Sequence, residues 1–260
     1  MIKISAVIIT FNEEKNIERC IESLLPVSDE IIVLDSFSTD KTKEIALRYG
    51  VKFYEKKFEG YNEQKNFAIR KTEFDYVLSL DADECLTLDL QNSILKVKQN
   101  AEFDAYYLNR LNFFCQKKIE HTGWYPDKKI RFWNKNIGRW DGNVLHEKVV
   151  MQENSKISQL EGDLLHYTFT SINQHIAQIN KFSEIKAQVA FEAGKKTSIL
   201  KMIFLPAVKF LTIYILKLGF LDGFYGFVIS INSAHSNFLK HAKLFEICRK
   251  NRRNINLNNS

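Results

Sequence analysis

Apolar positions in the first hundred residues switch between two periods. ISAVIIT at 4–10 is a short, uninterrupted, β-branched run, the pattern of a strand buried on both faces. In NEEKNIERCIESLL, which follows, Ile17, Cys20, Ile21, Leu24 and Leu25 fall on one helical face. Asn12 is placed to cap that helix, and Glu13 and Glu14 sit near its positive end. EIIVLDS at 30–36 predicts a second strand, leading to a helix capped around Ser38 or Thr39 and stopped by Gly50. VKFYE at 51–55 predicts a third strand, residues 61–70 a helix, and YVLSL at 76–80 a fourth strand. Strand and helix alternating at this spacing make βαβ units and a parallel sheet, whose ligands collect beyond the carboxyl ends of the strands.

After residue 100 the pattern changes. AYYLNRLNFF, KIRFWN and LHEKVVM read as antiparallel or mixed strands separated by turns at Gly123, Gly138 and Gly142. From Ser171 onward turn signals are few and helical periodicity dominates, so the expected organisation is an α/β domain over 1–170 and a helical region over 171–260. The polar, basic end RKNRRNINLNNS is expected to fray.

Ile199 to Leu218 is long and apolar enough to suggest a membrane span. Lys201, Lys209 and Lys217 and the kink expected at Pro206 oppose that reading, since a central lysine costs ~2.5–3.5 kcal/mol on the insertion scale. A helix lying in the interface with snorkelling lysines is favoured, aided by Lys240, Lys243, Arg249, Lys250, Arg252 and Arg253. The competing reading is a cover for the catalytic sheet or a homo-oligomer contact.

Composition narrows the chemistry. With 260 residues and 45% hydrophobic content the chain can bury a full core. A formal charge of +6 favours an anionic partner such as a nucleotide, a phosphorylated glycan or a membrane surface, and no nucleic-acid partner is expected. Cys20, Cys85, Cys115 and Cys248 are scattered with no C-x-x-C pair, as for reduced thiols in a cytoplasmic setting, and zinc is not expected. The N-terminus reads as a first strand and not as a signal sequence. TFNEE after the first strand excludes a G-x-G-x-x-G dinucleotide turn. EAGKKTS at 192–198 lacks the first glycine of a phosphate-binding loop, having Val189 in its place.

The fourth strand runs into Asp81, Asp83 and Glu84. Carboxylates this close need a compensating cation or hydrogen-bond donor. With twelve Asp in the chain a D-x-D pair arises by chance about half a time, so its position after a buried strand carries the weight. Two residues apart in extended chain, Asp81 and Asp83 would face one ligand, and hard oxygens suit Mg²⁺ or Mn²⁺ bridging a diphosphate.

AVIITFNEEKNIERCIESL, IIVLDSFSTDKT, YNEQKNFAI and LSLDADE, in this order, resemble a family-2 glycosyltransferase with the GT-A fold, a mixed α/β sheet flanked by helices. IRFWNKNIGRW followed by LHE, and LKLGFLDGFYGF, resemble the subgroup that adds β-1,4-glucose to the inner-core heptose of lipopolysaccharide. The resemblance implies an inverting transfer of a hexose, glucose from UDP-glucose, to a lipid-linked saccharide at the inner face of the cytoplasmic membrane. Alternatives are a polyprenyl-phosphate sugar transferase and a non-catalytic, membrane-peripheral nucleotide-sugar binding module.

By the same resemblance Thr10, Asn12 and Glu13 match base and ribose contacts, and Asp35 matches the first acidic residue of the second-strand motif. Ser36 and Phe37 replace that motif's second Asp and its Gly. Asp40 is assigned to a helix N-terminus, and Gln64, Lys65 and Asn66 match an element near the sugar nucleotide. Asp81 is assigned to the donor and Asp83 to the metal. Arg131, before Lys128 and Lys129, is the expected cation for the diphosphate. Glu147 is the expected base and Asp141 the reserve. His146 is open to two readings, a ligand of the metal or diphosphate, or a structural histidine. Trp124 is the aromatic candidate for the acceptor.

Overall fold

The computed structural model describes residues 1–142 and 147–258, with side chains through residue 251. The chain forms two compact units, Met1–Leu111 with Pro126–Tyr167, and Asn112–Tyr125 with Thr168 onward.

In the first unit, β1 (Ile4–Thr10), β2 (Glu30–Asp35), β3 (Lys52–Glu55) and β4 (Tyr76–Asp81) alternate with α1 (Ile17–Leu24), α2 (Thr42–Arg48) and α3 (Tyr61–Ile69), as the periodicity predicts. The four strands are parallel, in the order β3-β2-β1-β4. Their register brings the carboxyl ends level, with Thr10 opposite Asp35 and Ile9 opposite Asp81. Burial on both faces explains the uninterrupted run in β1. Ile4, Ala6 and Ile8 join a core with Ile17, Ile21, Leu24 and Leu78, whereas Val7 and Ile9 face Leu34, Trp133 and Trp140.

The chain continues through β5 (Glu84–Leu86), α4 (Leu88–Gln99), β6 (Ala105–Phe114), β7 (Lys117–Lys118), β8 (Asp127–Asn134), β9 (Gly138–Asp141), β10 (Lys148–Met151) and β11 (Ile157–Phe169). Beyond β4 the order is β8-β6-β11-β5, with β8 antiparallel to β4 and β5 antiparallel to β11. β9 and β10 form a separate two-stranded ribbon. The sheet is therefore mixed and flanked by helices, the architecture expected.

β11 shows no strand period because its buried apolar residues, Leu160, Leu164 and Phe169, do not alternate. Gly162 interrupts it at φ +87°, where a Cβ would come within 2.3 Å of the Leu90 backbone nitrogen. Only glycine allows that approach of β11 to α4.

Several local expectations are corrected. Asn12 does not cap α1: Asn16 holds that position, and Asn12, at φ +54°, accepts a 2.8 Å hydrogen bond from the Thr39 nitrogen through Oδ1. α2 starts at Thr42, after Asp40 has accepted from the Thr42 nitrogen (3.0 Å), so Ser38 and Thr39 belong to the preceding turn.

In the second unit, α5 (Ile172–Glu192) is capped by Ser171 and α6 (Ile199–Leu211) by Ser198. A π-helical turn (Thr212–Leu216) and a 3-10 turn (Gly219–Asp222) lead to α7 (Gly223–Asn258). Pro206 lies inside α6 without ending it. The expected frayed end is helical to Asn258. Lys243, one of the predicted headgroup contacts, instead donates to the Asn180 carbonyl (2.7 Å) and Ser183 Oγ (3.0 Å).

Candidate active site

The carboxyl ends of β1, β2 and β4, the face of α3 and the inner positions of β8 and β11 gather the polar side chains of the first unit. β4 ends at Asp81, and Ala82 and Asp83 form a turn. The two aspartates therefore part company, whereas an extended segment would point them the same way.

Asp81 turns to protein cations. Its Oδ1 is 3.0 Å from Lys65 Nζ and its Oδ2 3.0 Å from Arg131 Nη2. The positive charge that the acidic cluster demands is thus supplied in part by the chain itself. Burial acts to raise the Asp81 carboxyl, but Lys65 and Arg131 outweigh it and hold the group well below the usual carboxylate range. Glu84, fully buried, accepts from the Asp81 backbone nitrogen (2.9 Å) and pairs with Arg131 (2.7 Å) and Arg110 (3.4 Å). Arg110 in turn pairs with Asp127 (2.7 Å).

Arg131, expected on the diphosphate, is a buried counter-ion with its Nη2 committed to Asp81 and Glu84. Burial opposes its charge, and the two carboxylates more than restore it. Lys129 pairs with Asp127 at 3.1 Å, and Lys128 is exposed.

Asp83 faces a residue that the sequence reading missed. Its Oδ2 is 3.3 Å from Nε2 of His166 on β11, and the next residue, Tyr167, donates its backbone N–H to the Asp83 carbonyl (2.9 Å). Arg19 stacks on the Tyr167 ring, 3.4 Å from its centroid. A carboxylate oxygen beside an imidazole nitrogen is a donor set that suits Mn²⁺ or Mg²⁺ with positions left for phosphate oxygens. Among the described residues no cluster of three or more such ligands occurs. His146, the other expected ligand, lies outside the described residues.

Lys65 links the acidic turn to Glu147. Its Nζ, almost fully buried on α3, is 3.8 Å from Glu147 Oε2 and sits over the Trp140 ring at 4.2 Å. Burial raises the Glu147 carboxyl; Lys65 and Arg131 lower it, Asp81 raises it, and the balance is upward. Asp141 behaves oppositely. It is half-exposed, and the Gly142 N–H (2.7 Å) and Arg139 (3.3 Å) hold its proton affinity low. Of the two expected bases, Glu147 has the environment of one.

The remaining residues divide. Thr10 is buried with no hydrogen-bond partner for Oγ1 among the described residues, and it stands at the end of β1 opposite Asp35. Asp35 accepts from the Ser38 nitrogen (2.7 Å) and Ser38 Oγ, which fixes the turn holding Phe37 at φ +64°. Phe11 and Phe37 are both exposed next to these strand ends. Burial raises the Glu13 carboxyl, with Asp83 and Asp81 among the charges adding to it. Gln64 is buried and donates to Ser36 Oγ (2.9 Å). Asn66 is a brace: it donates to the Trp140 carbonyl (2.9 Å) and accepts from the Trp140 nitrogen (3.1 Å), tying α3 to β9. Trp124, the acceptor candidate, belongs to the second unit, where its ring packs with Phe114 (6.1 Å), Phe169 (6.1 Å) and His175 (5.9 Å).

Residues 5–151, carrying most of these side chains, match the profile of Glycosyl transferase family 2. The chain belongs to that family. It is 35% identical to an uncharacterized glycosyltransferase of Rickettsia typhi, over 97% of this chain and 90% of the relative. It is 29% identical to the lipopolysaccharide core biosynthesis glycosyltransferase LpsC of Rhizobium meliloti, over 94% and 92% of the two chains. A solved structure of glucosyl-3-phosphoglycerate synthase from Mycobacterium tuberculosis, with Mn²⁺, UDP and phosphoglyceric acid, is similar over 43% of each chain, with 26% identity and a TM-score of 0.35. This family-2 member is a glycosyltransferase.

Proposed function

We propose that this glycosyltransferase moves glucose from UDP-glucose, with inversion, onto a lipid-linked saccharide of the lipopolysaccharide-core type at the inner face of the cytoplasmic membrane. The similarity to LpsC over nearly the whole of both chains supports the acceptor class. The observation that carries the chemistry is the placement of Asp83 and His166 beside the Asp81–Lys65–Glu147 chain.

Asp83 and His166 would hold Mg²⁺ or Mn²⁺. When bound, that ion supplies Lewis-acid stabilisation of the charge growing on the departing diphosphate. Thr10, whose hydroxyl lacks a partner among the described residues, and Asp35 level with it would flank the nucleoside end of the donor. Asp81 anchors Lys65, and Lys65 orients the Glu147 carboxylate. Glu147 Oε2 takes the proton of the attacking acceptor hydroxyl, and its raised proton affinity brings it closer to the value a base needs near neutral pH.

The test is UDP release from UDP-glucose by the purified protein with Mn²⁺ and a heptose-containing inner-core acceptor. Acceptor-dependent release that disappears in Glu147→Gln supports the reading. Release with polyprenyl phosphate alone would favour that acceptor, and UDP binding without transfer to either would leave a binding module.

A further inference from the structure

From Ala193 to Phe245 the chain carries seven lysines and one carboxylate, Asp222. That carboxylate is not available at the surface. It is buried, accepts from the Glu120 (3.2 Å) and His121 (3.0 Å) nitrogens, and lies 3.0 Å from His121 Nδ1. The accessible charge of this stretch is therefore cationic throughout.

The same stretch presents two apolar faces on one helix. Met202, Pro206, Phe210 and Ile213 recur at helical spacing on the less exposed side. On this side Phe210 meets Phe227 of α7 at 6.1 Å and stacks on Tyr214 at 5.3 Å. The other side is uncovered: Leu200 is 66% exposed, Phe204 61%, Val208 56%, Leu211 49% and Ile215 51%. No residue of α6 is buried. A contiguous apolar row of this length marks a docking surface.

We propose that α6 and the π-helical turn after it lie in the plane of a bilayer containing anionic phospholipid. The outer apolar row sits among the acyl chains, and Lys201, Lys209 and Lys217 reach the headgroup phosphates. Ile199–Leu216 is long and apolar enough to cross a membrane. A crossing, however, would draw Lys209 toward the hydrocarbon, whereas an in-plane helix lets each lysine extend along its own stem to the headgroups. A second copy of the chain is a poor occupant. A two-fold contact sets the same patch against itself, so these lysines would face lysines with no exposed carboxylate in the stretch to pair with them. Anionic headgroups supply the missing sign.

The inference is independent of sugar transfer, because vesicle binding is read without turnover. The full chain is sedimented at low salt with vesicles of phosphatidylcholine alone or mixed with phosphatidylglycerol. We expect at least about tenfold stronger partition into the mixed vesicles. The Lys201→Glu, Lys209→Glu, Lys217→Glu variant should lose that preference. Leu200→Ser with Phe204→Ser and Val208→Ser should abolish sedimentation while the circular dichroism spectrum and melting stay as in the parent, since all these side chains are exposed. Four results would overturn the proposal: no sedimentation with either vesicle, equal binding to both, a dimer dispersed by the serine variant with no vesicle binding, or retention in membranes through alkaline carbonate extraction, which marks a span.

Discussion

Nε2 of His166 lies 3.3 Å from Oδ2 of Asp83, joining the far end of β11 to the turn that closes β4. This pairing divides the acidic cluster into two parts with different work. Asp81 and Glu84 are neutralised by Lys65, Arg131 and Arg110, whereas Asp83 meets an imidazole at the open end of the turn.

Asp81→Asn and Asp83→Asn should therefore differ in kind. Removing Asp81 leaves Lys65 and Arg131, both nearly fully buried, without one of their partners. Breaking a buried pair costs ~3–5 kcal/mol, taken here at the low end, about 3, because 27% of the Asp81 side chain remains exposed. Melting should drop by roughly 6–12 °C. Asp83→Asn should melt within a degree or two of the parent yet lose metal-stimulated turnover. Equal losses of stability would show that the two carboxylates share one role.

Glu147→Gln should lower kcat by ~10²–10⁴-fold, the usual worth of positioned proton transfer. Its effect on stability has the opposite sign. A carboxyl whose affinity for protons is higher folded than unfolded imposes a penalty. That penalty is absent below the unfolded value, grows as pH rises through the interval up to the folded value, and is complete above it. Gln removes the penalty, so the variant should melt slightly higher at neutral pH and no higher at pH below the ordinary glutamate range. The acidic limb of kcat/KM should lie above the value of an unperturbed glutamate.

Asn66→Ala removes both hydrogen bonds that hold β9 at Trp140 and should cost ~1–3 kcal/mol. Because β9 pairs with β10, which begins one residue after Glu147, kcat should fall further than KM rises. Steady-state kinetics of the variant check this; a change confined to KM would assign Asn66 to direct donor contact.

Phe37 holds φ +64° at the position where the family motif has Gly, so the left-handed backbone survives a bulky side chain at a cost of ~1–2 kcal/mol. Phe37→Gly relieves that strain and gives back part of it as unfolded-chain entropy, so stability should stay level or rise by up to ~1 kcal/mol. Loss of the exposed ring should raise KM for the nucleotide sugar. A variant with unchanged KM would leave the retained ring without a role in donor binding.

Much of this site was legible because the parallel strands of the first half carry their signature locally. Each is a short apolar run, and the polar residue that ends it lands at the carboxyl edge whatever the details of the turn. Thr10, Asp35, Asp81, Lys65 and Glu147 were reached in that way or through the family resemblance. His166 was not, since β11 shows no run of alternating apolar residues: Gly162 takes the position between Leu160 and Leu164 that faces α4, and Phe169 falls out of phase with them. The planar guanidinium made Arg131 the first candidate for the diphosphate, and the resemblance placed Asn66 near the sugar nucleotide. In the fold, one is a buried counter-ion and the other a backbone brace. Spacing in sequence records which residues share a region, and only long-range pairing decides which of them turn toward each other.

The most direct measurement is Mn²⁺ binding in the presence of UDP, followed by electron paramagnetic resonance or titration calorimetry on the parent, Asp83→Asn and His166→Ala. The account predicts a UDP-dependent site in the parent that weakens at least tenfold in either variant while both stay folded. Undiminished Mn²⁺–UDP binding in both variants would contradict it.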